Sequence, residues 1–121
     1  MADVDRKALR RDYKETPRPA GVYRVRNTAQ RRALVGSSPN LPGILNRHRF
    51  QLDDGSHTDK ELQRDWRALG ADAFSFDVLD ELPPQDDADV DVGEELAVLL
   101  AMWRDKLAAV GETFYGRATK P

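Results

Sequence analysis

Three side chains that can bind a phosphate group lie in the first half of the chain. Tyr23 stands in a short apolar segment, and Arg47 and His48 lie in the middle of a basic segment further on. The planar guanidinium of an arginine suits bidentate contacts with phosphate oxygens, and tyrosine and histidine can add hydrogen bonds to them. This combination could hold a phosphate, and it fits a small α+β domain with a polar surface equally well.

The segment that carries Tyr23 is predicted to be the first strand of a β-hairpin. Two short apolar runs, residues 20–26 and 32–37, lie on either side of a polar link. Their valine residues and other apolar side chains favour paired strands. Gly36, near the end of the second run, marks a place where the backbone must pass closely or bend.

The segment that carries Arg47 and His48 is predicted to be a helix that follows the hairpin. Asn40 is a suitable N-cap, and Pro42 fits the first turn because the N–H it lacks would have no helical partner there. Apolar residues then recur at the three-to-four-residue spacing of one buried face, and His48 falls on that face. An inward-facing histidine is commonly a hydrogen-bonded core residue, so a role in a site needs independent support.

The rest of the chain supplies a third strand and three more helices. Residues 73–80 alternate between apolar and polar side chains, which predicts a strand with one buried face formed by Phe74, Phe76 and Val78. Residues 58–70 begin with a capping box at Thr58 and end at a glycine, as helices do. The predicted buried face of this helix consists of Leu62, Trp66 and Leu69. Residues 3–14 and 93–109 are predicted to be the first and last helices.

Together these segments predict an α+β fold in a single domain. A small antiparallel sheet of three strands (20–26, 32–37 and 73–80) is flanked by four helices. A chain of 121 residues is long enough to close one core of this kind. Residues 1–17 are assigned to the N-terminal helix, residues 18–116 to the folded domain and residues 117–121 to a tail.

Composition excludes several classes of protein. The chain is 40% hydrophobic and 33% charged, as expected of a soluble globular protein. It contains no cysteine, so disulfides and thiolate metal sites are ruled out. No apolar run approaches the ~20 residues that span a bilayer, and the N-terminus has no apolar core of a signal peptide. We therefore expect a cytoplasmic protein with no membrane partner.

Charge is divided unevenly along the chain. Residues 1–60 carry 13 Lys and Arg against 7 Asp and Glu, whereas residues 61–121 carry 6 against 14. A basic half could meet nucleic-acid phosphates. The two halves could equally neutralise each other in the fold, and the isoelectric point of about 5.7 is low for a nucleic-acid-binding protein.

The motifs, taken in chain order, resemble the GIY-YIG nuclease domain over residues 18–115. Gly21-Val22-Tyr23 stands at the first motif and Leu34-Val35-Gly36 at the second. The segment that follows the second motif is similar to the strand-to-helix junction of the family. Later residues look like its phage homing-endonuclease branch, namely Gly55-Ser56-His57, Lys60, Leu62-Gln63, Asp65-Trp66, Gly70, Phe74, Phe76, Val78 and Leu79.

The resemblance implies metal-assisted hydrolysis of phosphodiester bonds in nucleic acid, DNA more than RNA, with Mg or Mn as the cation. Tyr23 matches the first-motif tyrosine, and His48 and His57 match two histidines of the homing-endonuclease pattern. Either the tyrosine or a histidine would handle the attacking water. Arg47 lies three residues after the position of the family's helix arginine and could replace it. The implied catalytic residues are therefore Tyr23, Arg47, His48 and His57.

Four positions depart from the family pattern. The second-motif tyrosine is replaced by Leu34, the helix arginine by Ile44, the metal-binding glutamate by Leu100 and a late asparagine by Gly116. Ile44 and Leu100 stand in the apolar stripes of their helices, as core residues do. We find no convincing replacement for the lost metal ligand, so we predict no ordered divalent ion beside Tyr23 and cleavage that is ~10³-fold or more slower than in an ordinary member.

Three functions stay open on the sequence alone. The chain could be an active but atypical or weakened endonuclease, a degenerate domain that binds nucleic acid without cutting it, or a scaffold that binds a protein partner. Family resemblance favours the first, the lost residues favour the second and the acidic isoelectric point favours the third. A cleavage assay with Mg²⁺ or Mn²⁺, run beside a binding test, discriminates among them.

Overall fold

A computed structural model describes residues 19–83 and 91–116 of the protein. The predicted N-terminal helix, residues 3–14, and the predicted tail, residues 117–121, lie outside the described residues. The elements in chain order are β1 (Ala20–Asn27), β2 (Arg32–Ser38), α1 (Leu41–Asp54), α2 (Lys60–Leu69), a single 3₁₀ turn (Ala71–Ala73), β3 (Phe74–Leu82), α3 (Val92–Ala109) and β4 (Thr113–Phe114).

The sheet has the strand order β3-β1-β2-β4. β1 lies at the centre and pairs antiparallel with β2 and with β3. The predicted α+β fold and its three antiparallel strands are confirmed. The sheet also contains a fourth strand, the two-residue β4, which pairs parallel with the start of β2. A segment this short has no periodicity of its own, so the sequence pattern did not predict it.

Each face of the sheet carries its own apolar core, because successive side chains of a strand point to opposite faces. α1 and α2 cover one face, and α3 covers the other. The first core contains Val25, Leu52, Leu62, Trp66, Phe74 and Tyr115. The second contains Val22, Ala33, Val35 and Leu107. β1 is therefore buried on both sides, and it holds Tyr23 in a fixed position.

Polar contacts attach the segment after α3 to the rest of the domain. The Tyr115 hydroxyl donates to Asp65 Oδ2 over 2.6 Å and accepts from Asn27 Nδ2 over 3.1 Å. Glu112, whose side chain is 4% exposed, accepts from Arg26 Nε over 3.0 Å and lies 3.8 Å from an Arg24 nitrogen. These contacts attach the residues on either side of β4 to β1 and α2.

Three details differ from the sequence-based predictions. α2 is capped by Asp59, whose side chain accepts from the Leu62 N–H, and not by Thr58. Leu69 is 41% exposed because it lies in the last turn of α2, past the covered face. Val78 is 45% exposed although it keeps the face of Phe74 and Phe76, because it lies on the edge strand β3, outside the core that covers those two residues.

A search for bilayer-spanning segments was negative. Within residues 19–83 and 91–116, every helix is too short or too polar to cross a membrane.

Candidate functional site

The candidate site lies where the β1–β2 hairpin meets α1. Tyr23 in β1 is paired with Gly36 in β2, and the tyrosine ring extends across the neighbouring strand. A Cβ built on Gly36 would stand 2.6 Å from the Tyr23 hydroxyl oxygen. Only glycine leaves room for the ring, so this residue sets the position of the hydroxyl.

α1 brings a histidine to that hydroxyl. The helix begins after Asn40, whose side chain accepts from the Gly43 N–H, and it places His48 two turns further along. His48 Nε2 lies 2.9 Å from Tyr23 Oη, with the two ring centroids 5.3 Å apart. The predicted inward face of α1 therefore delivers its histidine to the first-motif tyrosine.

A second histidine, His57, forms a hydrogen bond with the ring nitrogen of His48 that does not contact Tyr23. His57 Nε2 lies 2.8 Å from His48 Nδ1, and the two rings stack with centroids 5.0 Å apart. His57 is 2% exposed, and its own N–H donates to the side chain of Gln63. Gln63 in turn donates to the carbonyl of Leu52 at the end of α1. His57 is thus anchored between α1 and α2.

A backbone group fixes the direction of every hydrogen bond in this row. The Asp59 N–H donates to His57 Nδ1 over 3.0 Å, so that nitrogen has no proton of its own. Neutral His57 then carries its proton on Nε2 and donates it to His48 Nδ1. Neutral His48 likewise carries its proton on Nε2 and donates it to Tyr23 Oη. We call this directed row, from the Asp59 amide through His57 and His48 to Tyr23, the tyrosine–histidine chain.

Both histidines of the tyrosine–histidine chain favour the neutral state. Burial, helped by the nearby His57 and the charge of Arg47, lowers the pKa of His48 from 6.5 to about 4. Burial also lowers the pKa of His57, although Asp59 opposes that shift. A proton added to His48 Nδ1 would face the His57 Nε2 proton, so the geometry agrees with these directions.

Tyr23 experiences two opposing influences. Burial raises the pKa of its hydroxyl above the ordinary value of 10.0, because a phenolate is poorly solvated inside the protein. The positive charge of Arg104 lowers that pKa in part. Arg104 belongs to α3 and donates from Nη2 to the Val35 carbonyl over 3.3 Å.

The structure thus brings together three of the four predicted site residues. Arg47 is exposed on α1, and among the described residues no hydrogen bond or ion pair joins it to another side chain. Its charge still acts on His48. Arg104 was not among the predicted site residues, although it stands one helical turn after Leu100 and the phase of α3 points to it.

Three of the four positions that depart from the family pattern hold half-buried apolar residues. Leu34 is half-buried against the core under α1 and α2, and Leu100 is half-buried against the core under α3. Ile44 is also half-buried. In the part of the chain that the structure describes, no group of three or more His, Asp or Glu side chains is arranged to hold a metal ion. Leu100 has no oxygen atom in its side chain, so it cannot supply the carboxylate that the family pattern places at this position.

The chain is similar in sequence to a phage endonuclease. It is 31% identical over 68 residues to intron-associated endonuclease 1 of enterobacteria phage T4. The aligned segment covers 56% of this chain and 27% of that protein, so the similarity concerns about a quarter of the relative. No protein-family model matches the chain.

Two solved structures share the fold. The catalytic domain of intron endonuclease I-TevI, in a glutamate-to-alanine mutant, superposes with a TM-score of 0.64 at 23% identity, covering 85% of this chain and 97% of that domain. The catalytic domain of homing endonuclease I-TevI gives a TM-score of 0.61 at 23% identity, covering 78% and 96%. The resemblance to a GIY-YIG domain of the homing-endonuclease branch is confirmed.

Proposed function

We propose that the chain is a GIY-YIG-type endonuclease that hydrolyses phosphodiester bonds in nucleic acid. The tyrosine–histidine chain is the observation that carries this proposal, because it is a buried, fully directed hydrogen-bond row that ends on one reactive hydroxyl. Similarity to an intron-associated endonuclease and to homing-endonuclease catalytic domains supports the same assignment.

We assign to Tyr23 the role of taking a proton from the attacking water. Both ring nitrogens of His48 and of His57 are already engaged within the row, so neither ring has a lone pair left for a water molecule. Tyr23 Oη keeps its own proton and one lone pair. Of the two alternatives that the resemblance left open, tyrosine or histidine, the geometry therefore supports tyrosine.

In this mechanism the two histidines position and polarise the hydroxyl. The Tyr23 hydroxyl first gives its proton to solvent, and the His48 Nε2–H stabilises the resulting phenolate by donating to it, because a charged acceptor strengthens such a hydrogen bond. The phenolate takes a proton from water while the water oxygen forms a bond to phosphorus. The bond from phosphorus to the leaving sugar oxygen breaks, and that oxygen takes a proton from solvent.

The proposed substrate is DNA. The two structural relatives are described as intron and homing endonucleases, and the resemblance of this chain is to that branch. Arg47, which is exposed beside His48, would face the phosphate backbone. We further infer that Mg²⁺ or Mn²⁺, if used, does not bind at the family's glutamate position, since Leu100 stands there.

One specific observation favours a second function. Leu34, Ile44 and Leu100 are packed apolar residues at positions where the family pattern has functional side chains. A domain that binds nucleic acid without cutting it would tolerate these replacements. We rank this function below the endonuclease, because a non-cutting domain has no need of a buried, directed row of hydrogen bonds to Tyr23.

The test is a cleavage assay run beside a binding assay. Plasmid DNA, single- and double-stranded DNA and RNA of the same sequence are incubated with the protein in Mg²⁺, in Mn²⁺ and in chelator. We expect DNA cleavage by the wild type and a loss of about 10²-fold or more in Tyr23→Phe, with unchanged DNA affinity.

Tyr23→Phe keeps the ring over Gly36, and a thermal melt checks that it folds. DNA binding by the wild type with no cleavage of any substrate would contradict the endonuclease proposal and support the second function. Equal cleavage by Tyr23→Phe would contradict the role of the tyrosine.

A further inference from the structure

Arg104 reaches the outer edge of β2 from the opposite face of the sheet. α3 packs on the face that carries Val22 and Val35, whereas Tyr23 belongs to the face covered by α1 and α2. The Arg104 guanidinium nevertheless donates to the backbone carbonyl of Val35 over 3.3 Å. Val35 directly precedes Gly36, over which the Tyr23 hydroxyl lies.

The position of that carbonyl shows which side of β2 is involved. The Ala33 carbonyl accepts from the Tyr115 N–H over 2.8 Å, so it points away from β1. Carbonyls two residues apart in a strand point to the same side, so the Val35 carbonyl points there as well. β4 pairs with β2 only at Arg32 and Ala33, which leaves this part of the edge to the guanidinium.

The Arg104 guanidinium has unused hydrogen-bond donors beside the Val35 carbonyl. One of its five N–H groups is used on the Val35 carbonyl, and the side chain is otherwise exposed. No carboxylate is paired with Arg104 among the described ion pairs, unlike Arg24, Arg26 and Arg32, whose carboxylate partners are Asp77, Glu112 and Glu61. A guanidinium that is held in place but not neutralised is suited to an anionic ligand.

The charged side chains that act on Tyr23 and His48 are positive, whereas Asp59 acts on His57 at the other end of the row. Arg104 acts on Tyr23, where it lowers the pKa of the hydroxyl, and Arg47 acts on His48 from α1. Two arginines from different elements, Arg104 on α3 and Arg47 on α1, therefore act on the tyrosine–histidine chain. Such a field attracts a phosphate oxyanion and disfavours a cation.

We propose that Arg104 forms a binding site for a non-bridging oxygen of a phosphodiester, beside the Tyr23 hydroxyl. The guanidinium donates to the phosphate from the edge of β2, and the Tyr23 oxygen above Gly36 is left to face the attacking water. This places the phosphorus next to the group that we assign to the water. The inference rests on the proposed function for its substrate, but the site itself can be tested without cleavage.

The direct test uses inorganic phosphate as the probe and NMR of isotope-labelled protein. We expect saturable shifts of the Arg104 Nε–H and Tyr23 ring signals on titration, with sodium chloride at matched ionic strength giving none. The shift at Tyr23 should be lost in Arg104→Gln, partly kept in Arg104→Lys and unchanged in Arg64→Gln, which alters an exposed arginine on α2. A Tyr23 shift that persists in Arg104→Gln, or that chloride reproduces, would overturn the proposal.

Cleavage kinetics separate this inference from the proposed function. Arg104→Gln should cut DNA about 10²-fold more slowly than the wild type, with part of the loss recovered in Arg104→Lys. Wild-type cleavage with no loss in Arg104→Gln would overturn the phosphate site and leave the endonuclease standing. Saturable phosphate binding that requires Arg104, in a protein that does not cleave, would support the site and reject the endonuclease. Thermal melts establish that each variant is folded.

Discussion

The hydroxyl of Tyr23 lies directly over Gly36, its partner in the β1–β2 ladder. The two residues are so close that any Cβ at position 36 would stand 2.6 Å from the hydroxyl oxygen. The same oxygen is 2.9 Å from His48 Nε2. Because Gly36 has no side chain, the Tyr23 hydroxyl on the neighbouring strand can occupy this position and bond to His48.

A substitution at this glycine should disable the site and leave the fold in place. In Gly36→Ala the new methyl group must displace the tip of the Tyr23 ring, which breaks the bond to His48. We expect cleavage to fall at least about tenfold and the His48 signals to shift in NMR spectra, with the sheet intact. Ser37→Ala, at the next position and on the other face, is the matched control and should behave as the wild type. Full activity of Gly36→Ala would show that this close approach is irrelevant.

Stability should fall as the pH drops from about 6.5 towards 4. His48 has a pKa of about 4 in the folded protein and 6.5 when unfolded, so in this window the unfolded chain binds the proton more readily. Protonation therefore favours unfolding, by at most about 1.4 kcal/mol per pH unit for one group. Burial lowers the pKa of His57 in the same direction.

Urea unfolding at pH 7.5, 6 and 5 measures this effect. The free energy of unfolding of the wild type should decline over this series, and the decline should be smaller in His48→Gln. An identical pH dependence for the two proteins would contradict the buried, neutral state of His48.

The ion pairs of Glu112 should contribute to stability far more than an exposed pair does. Glu112→Ala leaves Arg24 and Arg26 beside an emptied, buried position, and we expect a loss of about 3 kcal/mol in the free energy of unfolding. Glu61, whose side chain is 43% exposed, pairs with Arg32, and Glu61→Ala should cost under about 1 kcal/mol. Chemical denaturation of both variants tests the contrast, and equal losses would contradict it.

Restoring the family's residues should raise activity and introduce metal dependence. Leu100→Glu adds a carboxylate, and Ile44→Arg adds a guanidinium on α1. Both positions are half-buried, so the double variant should also lose some stability. We expect faster cleavage in Mg²⁺ or Mn²⁺ than in chelator for this variant, measured against each single variant. No gain in rate, in a variant shown to be folded, would mean that the pocket has diverged at further positions.

Most of the fold was predicted from local sequence patterns, because helix caps and strand alternation depend on residues that are close in sequence. α1 begins after Asn40 and α2 ends before Gly70, as predicted, since caps depend on near neighbours in sequence. Leu69 and Val78 were predicted to be buried and are exposed, since exposure depends on how far the neighbouring elements extend over a helix or strand. The pattern of side chains within one helix or strand carries no information about how far its neighbours extend.

The candidate site, like the fold, was predicted from the sequence only in part. Tyr23, His48 and His57 were identified by resemblance and by helix phase, and the structure joins them. The Asp59 amide that directs their hydrogen bonds has no sequence signal, because every residue except proline has such a group. Arg104 comes from a helix on the far face of the sheet, and its bond to the Val35 carbonyl depends on the edge that the short strand β4 leaves open.

The pH dependence of single-turnover DNA cleavage tests the central claim, that Tyr23 takes the proton from water, most directly. Because burial holds the pKa of Tyr23 above its usual value, the wild-type rate should rise about tenfold per pH unit from pH 6 to pH 9. His48→Ala should keep that slope at a lower rate, since it removes a donor to the phenolate, and Tyr23→Phe should abolish the slope. A wild-type rate that levels off near pH 7, as a histidine base would produce, or a slope that survives in Tyr23→Phe, would contradict the account.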